Sequence, residues 1–133
     1  MKKIAVIVLF LSVGFGLFYF KKSFNIGSNR KTTDAVVLSW QHSPKNITVA
    51  TPVDFVFTLK DIAGSPVQNA KIEIEATMNH AGMVPLYAQA EFVSGPFYKT
   101  RIKLTMAGEW ILFLKIRLHS GEVVKKEVNF TSN

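Results

Sequence analysis

Residues 70–78, "AKIEIEATM", alternate without interruption: Ile72, Ile74, Ala76 and Met78 fall on one side, and Glu73, Glu75 and Thr77 on the other. A period of two is the signature of a strand with one face on a core and the other in water. Working outward, "PVDFVFTLK" at 52–60 repeats the pattern with Val53, Phe55, Phe57 and Leu59. Toward the C-terminus, Tyr98, Ile102 and Leu104 oppose Lys99, Arg101 and Lys103, and Trp110, Leu112, Leu114, Ile116 and Leu118 line one face of the next run. Turn punctuation separates these runs at "DIAGSP", "SGP", "MAGE" and "HSGE", spaced for hairpins and short connections between sheets.

Candidate strands near 35–42, 52–60, 70–78, 86–93, 97–104, 110–118 and 122–130 make about seven, the usual content of an immunoglobulin-like β-sandwich. The expected fold is therefore all-β, with Trp40 or Trp110 as a core centre.

The start of the chain is different in kind. Ile4 to Phe20, "IAVIVLFLSVGFGLFYF", carries no charge and is bracketed by Lys2 and Lys3 before it and Lys21 and Lys22 after it. At about 1.5 Å per residue, a helix of that length approaches the ~30 Å hydrocarbon core of a bilayer. The run ends in interface-suited aromatics and two lysines, without the small residues of a cleavage site, which favours an uncleaved N-terminal transmembrane helix or signal anchor over a removed signal peptide. Residues 1–23 thus read as the anchor, the polar stretch 24–33 as a linker, and 34–133 as the domain. Lysines flank both ends of the run, so charge does not decide its orientation. A signal-like N-terminus followed by one polar domain is more often exported, and the domain is expected outside the cytoplasm, at a cell surface or in a periplasm.

Net charge is +7, but residues 1–33 hold six basic residues and no acid, while 34–133 hold ten basic against nine acidic residues. The excess lies where it can meet anionic headgroups, and no phosphate-binding face for nucleic acid is indicated. With no cysteine there is no disulfide, no thiolate ligand, no thiol nucleophile and no site for a lipoprotein anchor. No serine, histidine and acid combination stands out, and Asp54, Asp61, Glu73, Glu75 and Glu91 fall on outward faces or in turns. The reading is a non-enzymatic protein.

One segment carries chemistry. "TMNHAGMVP" at 77–85 concentrates Met78, His80 and Met83 in a chain with four methionines and three histidines. Thioether sulfur favours Cu(I), and imidazole accepts copper in either oxidation state, so methionine and histidine without cysteine point to copper above zinc or iron. If Met78 ends its strand, Gly82 permits the bend that returns Met83 toward it. Spacing alone favours the bland alternative: Met78 is in phase with Ile72 and Ile74 and fills the core, His80 is a solvated loop residue, and Met83 covers an apolar edge. His42 and His119 are further candidate metal ligands, with His42 ranked slightly above His119; each lies at a strand end beside polar residues, where a solvated histidine is the commoner explanation.

In order along the chain, "GSPVQNAKIEIE" at 64–75, "MNHAGMVP" at 78–85, "GPFY" at 95–98 and "MAGEWIL" at 106–112 resemble the YtkA-like domain family and, more distantly, FixH-type proteins. The resemblance implies a small, membrane-tethered or secreted β-sandwich that handles copper, including delivery during assembly of cytochrome oxidase. Carried over by position, it assigns Met78, His80 and Met83 as metal ligands, adds Met106 from the "M-x-G-x-W" segment as the fourth, and implies a Cu(I) acceptor such as a respiratory oxidase subunit as partner. His80 is alone in a segment that other members make richer in histidine. The rival reading is a metal-free sandwich that binds or stabilises a membrane protein partner through a strand edge or an apolar patch.

Overall fold

A computed structural model describes residues 35–133; the expected anchor and linker lie outside them. Every regular element among the described residues is a strand: β1 Val36–Ser43, β2 Pro52–Asp61, β3 Lys71–Thr77, β4 Leu86–Ser94, β5 Phe97–Lys103, β6 Gly108–Arg117 and β7 Val123–Ser132. All seven sequence-derived strands are present, with their ends shifted by no more than two residues. All neighbouring strands run antiparallel, in the order β1-β2-β5-β4-β3-β6-β7.

Strand β4 belongs to both halves of this order. Its first half, Leu86 to Ala90, pairs with Ala76 to Ile72 of β3; from Glu91 it pairs with β5 instead, through a register shift between Phe92 and Ser94. One surface is therefore β1-β2-β5-β4 and the other β4-β3-β6-β7, folded onto a common core as a β-sandwich. The connections from β2 to β3 and from β5 to β6 cross between the two surfaces, which is why "DIAGSP" and "MAGE" do not close hairpins.

The core is the set of in-phase residues. Val53, Phe55, Phe57 and Leu59 from β2, Ile72, Ile74 and Ala76 from β3, and Trp110, Leu112, Leu114 and Ile116 from β6 are all at most 2% exposed. Each large apolar side chain so buried contributes about 1.5–3 kcal/mol. Of the two tryptophans, Trp110 is the core centre and Trp40 is half-buried. Trp40 stands 6.3 Å from Phe55 and 6.4 Å from Phe130, centroid to centroid, and Phe55 stands 5.2 Å from Phe130. These rings join β1 and β2 to β7 on the side where the strand order ends.

Two polar devices hold the ends. The buried Tyr98 hydroxyl donates to the Val67 carbonyl at 2.7 Å and accepts from the Ala70 amide at 3.1 Å, pinning the long β2–β3 crossover. At the other end the chain terminus is tied in: Asn133 N–H donates to the Ile47 carbonyl at 2.8 Å and Val49 N–H to the Asn133 carbonyl at 3.1 Å. Ile47, in the β1–β2 loop, is thereby held buried.

Several acids are engaged rather than merely solvated. Arg101 grips Asp54 with Nε at 2.7 Å and Nη2 at 3.0 Å, Glu73 lies within 4 Å of Lys71 and Lys115, and Asp61 Oδ1 accepts from the Ala63 and Ser65 amides. The Arg101 hydrogen bonds hold the Asp54 carboxyl below the usual carboxylate range, opposed in part by desolvation and helped by Lys99.

Two outcomes follow. Replacing Tyr98 by Phe leaves a carbonyl and an amide of the crossover without their partner and should cost about 1–3 kcal/mol in urea unfolding. Because the folded-state value of Asp54 is lowered, its pairing contributes above the unfolded carboxylate value and is lost as pH falls through the lowered one. NMR titration should find Asp54 below its ordinary midpoint, and Arg101→Met should return it there.

Candidate metal site

Antiparallel register decides where each candidate residue lies. β3 and β5 end, and β4 and β6 begin, at one end of the sandwich, together with the end of β1 and the end of β7. The β3–β4 loop with Met78, His80 and Met83, the β5–β6 loop with Met106, and His42 near the end of β1 therefore share one rim. His119, in the β6–β7 turn, lies at the opposite rim.

Met78 is the first residue beyond β3, half-buried against the core with its face unchanged from Ala76. Its methyl reaches across to β6. A Cβ built on Gly108 would stand 2.7 Å from Met78 Cε, so the methyl lies where a side chain at 108 would begin and would have to swing aside for one. Gly108 also has φ +126°, in the region that favours glycine. The contact joins the β3–β4 and β5–β6 loops physically and sets Met78 beside a turn whose own methionine is two residues away.

That turn has a second support. The Trp110 indole N–H donates to the Met106 carbonyl at 2.9 Å, folding the loop back over the first residues of β6. In "M-x-G-x-W", the tryptophan thus clamps the backbone of Met106 and the glycine makes room for Met78. The Met106 side chain itself remains 40% exposed.

In the β3–β4 loop the His80 amide donates to the Met78 carbonyl at 2.8 Å, and Gly82 takes φ +80°, so the chain reverses over four residues and returns Met83 to the same core. The ring Nδ1 of the exposed His80 lies 3.0 Å from the Ala81 carbonyl. A carbonyl only accepts, so a hydrogen bond here has Nδ1 as donor and leaves Nε2, on the far side of the ring, as the nitrogen open to a ligand.

His42 departs from the solvated-residue expectation. It is half-buried, stacked 5.7 Å from Trp40 and tilted against Phe55 at 6.2 Å, with Nδ1 at 2.9 Å from the Pro44 carbonyl. It belongs to the aromatic seam. Alternation at "SWQHS" placed Trp40 and His42 on one face, which was the available signal.

Among the described residues no group of three or more histidines and carboxylates converges. The donors that the β3–β4 and β5–β6 loops bring to this rim are thioether and imidazole, with Met78 and Met83 half-buried and His80 and Met106 exposed. Sequence reasoning missed Asn79, Glu109 and Asn129, which with Trp110 and Phe130 line a groove of about 390 Å³ beside the rim. Asn129 lies on β7, fifty residues from Asn79 in the chain, and no local pattern links them.

The Gly108–Met78 contact has a direct test. Gly108→Ala should destabilise the fold by about 1 kcal/mol or more through its backbone conformation. It should also displace the Met78 methyl, visible as a shift of that methyl's NMR resonance. In a Met78→Ala background only the backbone part of the cost should remain.

Similar structures include two single-residue variants of superoxide reductase (neelaredoxin) from Ignicoccus hospitalis. One has a TM-score of 0.52 at 10% identity over 73% of this chain and 80% of that one. The other gives 0.52 at 11% identity over 77% and 83%. The PmoD soluble domain from Methylocystis sp. ATCC 49242 (Rockwell) gives 0.49 at 12% identity over 74% and 90%. At these identities the first two share the fold alone. No curated protein matches the chain. The YtkA-like family model matches residues 31–115, from the approach to β1 through most of β6 and including all four candidate ligands. That is more than half of the chain, and the protein belongs to the YtkA-like family.

Proposed function

We propose that this protein is a membrane-anchored, extracytoplasmic Cu(I) carrier with an immunoglobulin-like β-sandwich, and that Met78, His80, Met83 and Met106 hold the ion. The observation that carries the reading is the meeting of two loops at one rim, where Met78 packs on Gly108 next to Met106 while His80 keeps a free Nε2. Thioethers need no deprotonation and prefer the reduced ion, and their sulfurs do not form disulfides in an oxidising compartment.

Exposure of His80 and Met106 suits transfer. The half-buried sulfurs of Met78 and Met83 would keep the ion while an acceptor's ligands replace the two exposed donors one at a time. Copper stays Cu(I) throughout, so the step is ligand exchange with no electron balance to meet. A respiratory oxidase subunit is the kind of acceptor this reading implies. It needs no nucleophile or general base, and the protein is proposed as a carrier rather than an enzyme.

A second reading draws on another surface. Tyr87 and Phe113, 75% and 43% exposed, stand on the strands either side of Glu75, in an open groove of about 800 Å³ on the outer face of β4-β3-β6. A metal-free interaction module would use such a face for a membrane protein partner.

Titration of the protein with Cu(I) against a competing chelator separates the two. One-to-one binding is expected, weakened on the order of tenfold or more by His80→Ala, which is about 1.4 kcal/mol. The combined replacement of Met78, His80 and Met83 should abolish binding while the far-UV spectrum of the sandwich persists. Absence of binding, or binding indifferent to His80, favours the interaction module.

A further inference from the structure

Among the described residues, ten large apolar side chains remain exposed, and five of them, Val37, Ile62, Phe92, Val93 and Phe97, lie at the end opposite the Met/His rim. They come from three separate elements. Val37 is the second residue of β1, Ile62 follows the last residue of β2, and the other three flank the β4–β5 turn. Ile62 is 72% exposed, Val93 58% and Val37 55%.

These elements are tied together at that end. Val36 pairs with Asp61, Val37 with Lys60, and Phe97 with Thr58, while the Leu59 amide donates to the Pro96 carbonyl at 2.9 Å. The backbone under the apolar side chains is thus a braced platform. Asp61 spends a carboxylate oxygen on the Ala63 and Ser65 amides, which holds the turn that presents Ile62.

The described chain also begins here. Ala35 leads into β1 at this end, and the preceding residues are the basic stretch and the uncharged run Ile4 to Phe20. Lys60, opposite Val37, and Lys71 and Arg117, opposite each other, stand at the same end as the acids Asp61 and Glu122. The stretch that precedes Ala35 adds Lys21, Lys22, Arg30 and Lys31 with one acid, Asp34, so the balance there is basic and anionic headgroups attract it. Apolar tips with a cationic border are the chemistry of interfacial lipid contact, in which side chains enter the headgroup and upper acyl region.

We infer that the Ile62, Val93 and Phe97 end of the sandwich docks on the lipid surface, so that the domain stands on the bilayer with its Met/His rim turned away. The inference rests on the anchored reading above and adds an orientation to it. A linker of residues 24–33 spans at most about 35 Å at ~3.5 Å per residue, so the anchor alone limits distance but not attitude. Docking through three elements sets the attitude, and it presents the copper rim to partners whose ligands lie well above the membrane.

The absence of cysteine makes the test clean. Full-length protein carrying single replacements Ile62→Cys, Phe97→Cys or Val84→Cys is labelled with an environment-sensitive fluorophore and reconstituted into phosphatidylcholine and phosphatidylglycerol vesicles, with and without lipids bearing a nitroxide high on the acyl chain. Val84 is 79% exposed in the β3–β4 loop and serves as the far rim. Nitroxide lipid should quench the probes at 62 and 97 several-fold more than the probe at 84, and adding Val93→Asp to either reporter should reduce the difference.

Equal quenching at all three positions, or none at 62 and 97 in protein that floats with the vesicles, overturns the docking. Protein that fails to float overturns the anchored reading and the docking with it. Shielding at 62 and 97 from water-soluble quenchers without any lipid quenching also overturns it, because the cover would then be protein.

Discussion

Strand β4 cannot satisfy one neighbour along its whole length. Its first five residues pair with β3 and its last with β5, and the register shift between Phe92 and Ser94 is where the second pairing becomes irregular. A strand that divides its hydrogen bonds this way forces the two surfaces to turn toward each other, and their apolar faces then have only one place to go. Trp110, Tyr98 and Phe55 fill that space without solvent contact. The opposite side, between β1 and β7, has no shared ladder among the described residues and is closed by the rings of Trp40, Phe55 and Phe130.

The functional asymmetry follows from the same arrangement. With every pairing antiparallel, loops alternate between two ends, so the β3–β4 and β5–β6 loops must meet while the β2–β3 and β4–β5 connections gather at the other end. Soft donors are gathered at the first end, and five of the ten exposed large apolar side chains at the second. Nothing about either cluster alone requires the other. It is the direction of the strands, set by hydrogen bonding, that separates the loops carrying Met78, His80, Met83 and Met106 from the end carrying Ile62, Val93 and Phe97.

Methionine shows how packing and chemistry share one residue. Met78 lies in phase with Ile72 and Ile74 and rests on the core, as the bland reading required, and it also extends its methyl to Gly108, where a second loop arrives. A thioether tolerates both roles because it is apolar, polarizable and flexible. His80 is the contrary case, exposed and held only by its amide and its Nδ1, so its remaining nitrogen has no structural task. The "M-x-G-x-W" spacing is now intelligible as well: the indole reaches back four residues to a carbonyl, and the glycine between them leaves the gap that Met78 fills.

Period-two alternation by itself determined the number of strands, their approximate ends, the face of each and most of the core, because burial of one face acts on every second residue and is written locally. The segment 77–85 likewise announced its donor types. What only the tertiary structure decided was which distant pieces meet. Met78 finds Gly108, Asn79 shares a groove with Asn129, and His42 enters an aromatic seam with Phe130, because strand order and the crossing of β4 are consequences of long-range pairing with no local trace. Alternation says that a side chain faces inward; only the closed sandwich says what stands opposite.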